Sequence, residues 1–345
     1  MTLYDEIHEQ PDILRHSFAQ NIDVVRRIAA ALPRDSVQYA FVAARGTSDN
    51  AARYAKYLWG FFNRLPVALA APSLFGMYQQ PPRLDSALVI GISQSGQSPD
   101  IVNVLVEGKR QGCPTLAITN DAASPLAKTA DFVIDICAGQ ETAVAATKTY
   151  TTSLLAIAML SAAWEGDEQR MQALQKLPDW VAEVLTQDEI IANIAPRYRY
   201  MSQCVVLGRG YNYATAFEWS LKLKELTYVV AEPYSSADFR HGPIAIVEHG
   251  FPVMAVAAGG AIYADMMHLL HRLAETRHAE LILISDNEEA LALATGGIRL
   301  PPHLPEWITP LVSIVPAQLF SYYLTKVKGL NTEAPRGLNK VTKTR

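Results

Sequence analysis

The stretch that decides the fold reads ALVIGISQSGQSPDIVNVLVEGKRQ and runs from Ala87 to Gln111. Leu88 to Ile92 is a short apolar run with β-branched members, the length and character of a buried strand. It stops at a polar loop, Ser93-Gln94-Ser95-Gly96-Gln97-Ser98. Ser98 before Pro99 has the form of an N-cap with proline in the first helical turn, and Asp100 suits the positive end of a helix that turns Ile101, Val104 and Leu105 inward. Hydroxyls, an amide and free backbone N–H groups thus gather where a helix dipole points outward, the recipe for holding a dianion such as a phosphate monoester. No lysine or arginine lies inside the loop, so capture by dipole and hydroxyl is expected rather than a charge clamp. An ordinary capped turn would use the same residue types; the density of donors favours the anion.

Working outward, the chain of 345 residues is long enough for two domains with full cores. Half of it is apolar and 19% charged, the composition of a globular protein. A net charge of -4 gives no support for nucleic-acid binding, which asks for a basic stripe. Cys113, Cys137 and Cys204 are odd in number and far apart, read as reduced thiols with no metal-ligand spacing. MTLYDEIHEQPDILRH lacks the apolar core of a signal peptide, and the longest apolar stretch, Leu154 to Trp164, is too short to span a bilayer. The expectation is a cytoplasmic protein that needs neither metal nor redox cofactor.

Strands alternate with helices along the chain. Ile13, Leu14, Phe18, Ile22, Val25 and Ile28 form a helical stripe in the first 31 residues. Tyr39 to Ala43 reads as a strand leading into Arg45-Gly46-Thr47-Ser48, with a helix over 50–62. Val67 to Ala71, Leu88 to Ile92, Thr115 to Thr119 and Phe132 to Ile136 are further strands. This alternation predicts an α/β fold with a parallel sheet covered on both faces. The second half repeats it. VAARG at Val42 matches VLGRG at Val206, Val89 to Ile92 matches Val253 to Val256, TLAITND at Thr115 matches LILISDN at Leu281, and FVIDI at Phe132 matches GIRLP at Gly297. The helix from Thr147 to Trp164 matches that from Thr309 to Val327. Five elements holding nearly one offset argue for duplication. The domains expected are a helical lead-in (1–31), a first α/β domain (32–165), a helical linker (166–195), a second α/β domain (196–336) and a tail (337–345).

The copies differ in chemistry. Opposite the serine loop the second half has Ala257-Ala258-Gly259-Gly260, without side-chain donors. It carries instead Glu218, Lys222 and Glu225, spaced four and three apart and so on one helical face, followed by Asp238-Phe-Arg240-His241-Gly242-Pro243. Such a trio is ordinarily a surface ion-pair ladder. Here Leu221, Leu223, Leu226, Tyr228 and Val229 make the helix apolar nearly all round, so the charges are expected to be half-buried, in need of partners or a task.

RGTS at Arg45, SQSGQS at Ser93, ETAVAATKTYTTSL at Glu141, GRGYNYATAFEWSLKLKELTYVVAEPYSSADFRHGP at Gly208 and PRGLNK at Pro335 carry a resemblance. In these strings nearly the whole chain resembles the isomerase half of glucosamine-6-phosphate synthase, built of two sugar isomerase (SIS) domains, and its smaller deaminase and deglycase relatives. The resemblance implies two tandem SIS domains, each a flavodoxin-like three-layer unit. It implies that Thr47, Ser48, Ser93, Gln94, Ser95 and Ser98 contact the phosphate and hydroxyls of a sugar, with Val144 a backbone contact. It further implies that Glu225 is the base acting between C1 and C2, Lys222 a neighbouring lysine, His241 the ring-opening group supplied by the partner in a homodimer, and Lys340 a tail lysine beside the open-chain carbonyl.

The departures from that pattern are also legible. Thr2 stands where the synthase has the cysteine of its glutaminase domain, so glutamine-derived ammonia is not expected without a separate subunit. Arg45, Gln97 and Ala146 replace the synthase's cysteine, glutamate and serine, and VTKTR replaces its acidic end. The activity implied is an aminosugar-phosphate isomerase or deaminase converting glucosamine 6-phosphate to fructose 6-phosphate and ammonia, with Glu225 tuned by burial against Lys222. A fructosamine-6-phosphate deglycase, an aldose-ketose isomerase, an ammonia- or glutamine-dependent synthase and a non-catalytic sugar-phosphate sensor stay open. The absence of a DNA-binding helix-turn-helix or basic arm speaks against the sensor.

Overall fold

A computed structural model describes residues 2–340. The chain opens with helices α1 (Leu3–His8) and α2 (Gln10–Ala31). Thr2 caps α1 in a reciprocal box with Asp5. On α2, Leu14, Phe18, Val25 and Ile28 of the expected stripe are buried, while Ile13 and Ile22 are half-buried.

Next come β1 (Tyr39–Ala43), α3 (Thr47–Phe62), β2 (Val67–Leu69), α4 (Ser73–Gly76), β3 (Ala87–Ile92), α5 (Pro99–Arg110), β4 (Thr115–Thr119), α6 (Pro125–Thr129), β5 (Phe132–Asp135), α7 (Lys148–Glu165) and α8 (Glu168–Gln175). The remainder is α9 (Leu177–Leu185), α10 (Asp188–Ile194), β6 (Gln203–Gly208), α11 (Tyr213–Thr227), β7 (Val230–Ser235), α12 (Ser236–Arg240), β8 (Pro252–Val256), α13 (Tyr263–Arg277), β9 (Glu280–Ser285), α14 (Glu288–Leu293), β10 (Gly296–Arg299) and α15 (Thr309–Val327). Residues 12–141, 148–176 and 339–340 form one compact unit, and 2–11, 142–147 and 177–338 the other.

Each unit holds a five-stranded sheet, parallel throughout, in the orders β2-β1-β3-β4-β5 and β7-β6-β8-β9-β10. Counted from the first strand of each, both follow the flavodoxin-like order 2-1-3-4-5. Two identical orders, with four of the five strands in each being those that the sequence aligns, are what the duplication predicts. The helices repeat too: α3 packs on α7 in one unit as α11 packs on α15 in the other. β3 is buried at every position, as a strand covered on both faces must be. Leu105, Leu126 and Val89 fill one face of its sheet, and Phe239, Leu270 and Leu283 the corresponding region of the second. α8 packs on α7, whereas α9 and α10 pack on α15.

Several boundaries shift by one to three residues from those read in the sequence, and three of the shifts have a visible cause. α3 begins at Thr47, three residues early, because the chain turns at Gly46 and Asn50 N–H already donates to Gly46 O at 3.1 Å. β2 stops at Leu69, since Pro72 opens α4. β5 stops at Asp135, before Cys137 takes φ +50°. Residues 341–345, part of the expected tail, lie outside the described residues. Among the described residues no helix is long and apolar enough to cross a membrane.

Candidate active site

In the first unit the strand order reverses between β1 and β3, the place where open parallel sheets form a crevice at their carboxyl ends. β3 delivers the serine loop there. Its backbone is held from outside: Gln94 O accepts from Asn120 N–H at 3.0 Å and Thr119 Oγ1 at 3.2 Å, and Gly96 O accepts from Leu126 N–H at 3.1 Å. Gly96 has φ +59°, and a Cβ there would collide with Ser124, so glycine alone fits. Inside the loop Ser93 Oγ accepts from Gly96 N–H at 3.2 Å and Ser95 Oγ from Gln97 N–H at 3.3 Å.

Ser98 occupies the N-cap of α5, as its place before Pro99 predicts, but its side chain makes no capping bond. The hydroxyl and N–H of Ser98 and of Ser95 therefore donate to nothing among the described residues. That is the condition an anion site requires. Thr47 and Ser48, read as loop residues, instead form the first turn of α3, where the N–H groups of Ser48 and Asp49 donate to Arg45 O at 3.1 and 3.4 Å.

The structure also supplies a charge that the loop lacks. Arg45 Nε donates to Asp100 Oδ2 at 2.9 Å, beside the loop. At the end of the described chain Lys340 Nζ bonds Glu141 Oε2 at 2.6 Å. The Glu141 carboxylate is wholly buried and also accepts from Thr149 N–H at 3.1 Å and Thr149 Oγ1 at 2.8 Å, which ties it to the first turn of α7.

In the second unit α11 brings Lys222 Nζ to 3.3 Å from Glu218 Oε1 and 2.6 Å from Glu225 Oε2. The trio is buried more deeply than its apolar flanks suggested: Glu218 and Lys222 are 0% and 1% exposed, and Glu225 alone keeps 23%. Burial by itself lowers a lysine's pKa; the fields of Glu218 and Glu225 more than offset it and hold Lys222 firmly protonated. The buried Oε2 of Glu225 is thereby pinned while part of the side chain reaches the surface. Beyond it, Tyr228 takes a left-handed cap and its hydroxyl accepts from Arg336 N–H at 2.6 Å.

Val144 is half-buried in a loop held by a residue that drew no attention in the sequence. The buried carboxylate of Glu6, on α1, accepts from Thr142 N–H, from Thr142 Oγ1 at 2.9 Å and from Ala143 N–H at 3.2 Å. His241 is exposed at the C-cap of α12, and its ring has no hydrogen-bond partner among the described residues. Its neighbour Arg240 is fixed by Asp265, whose Oδ1 and backbone O accept at 2.7 and 2.5 Å. Asp265 also accepts from Arg209 and from Ser236 Oγ. Burial raises this carboxyl's pKa, but the donors from Arg240, Ser236 and Arg209 outweigh it and hold the group at about 2.

The structure thus joins Lys222 to Glu225, sets the serine loop beside the Thr47–Ser48 turn, and seats Lys340 on Glu141. It brings His241 to none of these within its own unit. Glu6 and Asp265 gave no signal in a single sequence, because each acts through a fold contact with a distant segment. Glu141 lay inside a motif but had no assigned task.

The SIS domain profile matches residues 37–163 and 200–328, both sheets with their covering helices. The chain belongs to the SIS-domain family. Over 97% of its length this SIS protein is 35% identical to a glutamine–fructose-6-phosphate aminotransferase [isomerizing] of Gloeobacter violaceus, of which it spans 57%. A structure from Silicibacter pomeroyi, provisionally assigned as a phosphosugar isomerase, is 36% identical with a TM-score of 0.85, covering 96% of this chain and 99% of that one. The C-terminal domain of glucosamine-fructose-6-phosphate aminotransferase from Francisella tularensis is 27% identical with a TM-score of 0.87, covering 96% of each.

Proposed function

We propose that this SIS protein is an aminosugar-phosphate isomerase and deaminase that converts a hexosamine 6-phosphate, glucosamine 6-phosphate in the first instance, to the ketose 6-phosphate and ammonia. The observation that carries the reading is the α11 trio, a buried ammonium that pins one oxygen of a single partly exposed carboxylate, Glu225. A base fixed in this way is suited to take a proton from carbon and return it one atom away. The similarity to aminotransferases named as isomerizing supports the same chemistry.

In this reading Ser93, Gln94, Ser95, Ser98, Thr47 and Ser48 hold the phosphate end, and Val144 meets the sugar through its backbone. His241, exposed and unpartnered, opens the ring in the site of a second copy, which makes the working unit a cytoplasmic homodimer. Glu225 removes the C2 proton of the open chain and delivers it to C1, leaving a ketimine at C2. Lys222 keeps the carboxylate oriented. Water adds to the ketimine carbon and the C–N bond breaks to give the ketone and ammonia. Lys340 supplies a cation beside the carbonyl, oriented by Glu141. Run in reverse with ammonia, the same steps make an aminosugar phosphate, the direction named in the relatives.

The test is ammonia release from glucosamine 6-phosphate and galactosamine 6-phosphate, offered separately, alongside entry of solvent deuterium at C2. Glu225→Gln is expected to bind sugar phosphate as the parent does and to lose exchange by roughly a hundredfold or more. Full turnover in that variant would show the base to be elsewhere.

A further inference from the structure

The wall facing the serine loop ends in a cation. β1 and β3 pair with Ala43 beside Gly91, so Arg45 and Ser93, each two residues further on, leave the sheet side by side. Arg45 reaches across to Asp100, which sits in the first turn of α5 just after Ser98. The pair is lopsided. Asp100 is 2% exposed and Arg45 52%. Only Nε is engaged; the two terminal Nη groups donate to nothing among the described residues.

Two consequences follow from elementary electrostatics. A carboxylate in the opening turn of α5 would by itself repel a phosphate arriving at Ser98, and Arg45 cancels that charge. A guanidinium also offers a rigid planar fork of donors matched to phosphate oxygens. With Nε tied to a buried carboxylate, the fork is restrained while about half of the side chain stays exposed.

We propose that Arg45 is a specificity-determining residue that clasps the substrate's phosphate through its Nη groups, with Asp100 as the anchor that aims it. The inference rests on the sugar-phosphate reading above. It turns a site gripped by dipole and hydroxyl into one that also recognises charge. The preferred ligands are then dianionic sugar phosphates, and affinity falls as salt rises.

Arg45→Gln alone would strand Asp100 as a buried unpaired carboxylate, so the deciding protein is the double variant R45Q/D100N, which replaces both charged groups by amides. Fructose 6-phosphate and inorganic phosphate would be titrated calorimetrically into the full chain and into the variant at low and high salt, with thermal melts to verify folding. Affinity is expected to fall roughly ten- to hundredfold in the double variant, with a shallower salt dependence. Binding as tight and as salt-sensitive as the parent's would overturn the proposal, since Arg45 would then only neutralise Asp100. If the parent binds neither anion, the sugar-phosphate reading falls and the role of Arg45 with it. Should the double variant not fold, Arg45→Lys keeps the charge but lacks the fork; a loss of about threefold or more supports the clasp, and unchanged affinity overturns it.

Discussion

The two crevices of this molecule share one topology and differ in who fills them. Between β1 and β3 the loop donors of Ser95 and Ser98 are unoccupied. Between β6 and β8 the equivalent donors are met by the protein's own carboxylates: Gly259 N–H donates to Asp286 at 2.7 Å and Ala261 N–H to Glu306 at 2.9 Å. Gly260 lies so close to Glu306 that any Cβ would collide with the carboxyl. Ile262 packs over Gly210, whereas a Cβ placed at Gly46 in the first crevice would meet open space. In the aligned strands TLAITND and LILISDN, Asn120 stands where the second copy has Asp286. Asn120 uses its amide to bind Ala138 N–H at 2.8 Å and Gly139 O at 2.7 Å, and leaves the loop amides alone. A set of loop N–H donors stays open or closes according to whether the chain supplies a carboxylate of its own. The closed copy then carries a different asset, the buried trio on α11.

The largest effect is expected at that trio. Lys222→Met leaves the wholly buried Glu218 and the partly exposed Glu225 without their cation, and a stability loss of about 3–5 kcal/mol is expected in urea unfolding. A loss under about 1 kcal/mol would mean that the trio is solvated and lacks the special environment argued for it. In the first crevice, Ser95→Ala combined with Ser98→Ala is expected to weaken phosphate binding by roughly tenfold with little change in melting temperature, because neither hydroxyl donates to the protein.

The sharper test is to convert one crevice into the other. The parent protein is expected to bind one phosphate per chain by calorimetry. Asp286→Ala with Glu306→Ala frees the amides of Gly259 and Ala261, so a second, weaker phosphate is expected, along with destabilisation of about 1–2 kcal/mol. An unchanged stoichiometry would show that Ile262 alone closes the cradle. The smallest effect concerns acid. Asp265 has a folded-state pKa of about 2 against an ordinary 3.8, so its stabilising contribution is complete above that ordinary value and is lost as pH falls through about 2. Asp265→Asn should flatten that part of a melting-temperature curve below pH 4 and leave the neutral range little altered in slope.

Much of this architecture is legible in the amino-acid sequence. The strand-loop-helix signature at Ala87 to Gln111 is local: chain stiffness, a proline after a cap and a helix dipole are properties of neighbours in sequence. The repeat was legible because duplication preserves the order of such local signals. Helix spacing likewise put Glu218, Lys222 and Glu225 on one face without reference to the rest of the chain.

The tertiary structure decided what distance along the chain hides. It set the depth of the trio, because burial depends on what packs over a helix, here α15 together with β6 and β7. It gave the cation to the serine loop from Arg45, which lies 55 residues from Asp100, and gave the Val144 loop its anchor in Glu6, which lies 136 residues from Thr142. It also showed that AAGG is a filled cradle rather than an empty one, since Glu306 lies 45 residues from the amide it meets. Sequence by itself determined the elements, their repetition and the residue types at the crevice; which donors remain free there is a property of the fold, because a hydrogen bond or an ion pair depends on proximity in space and not on spacing along the chain.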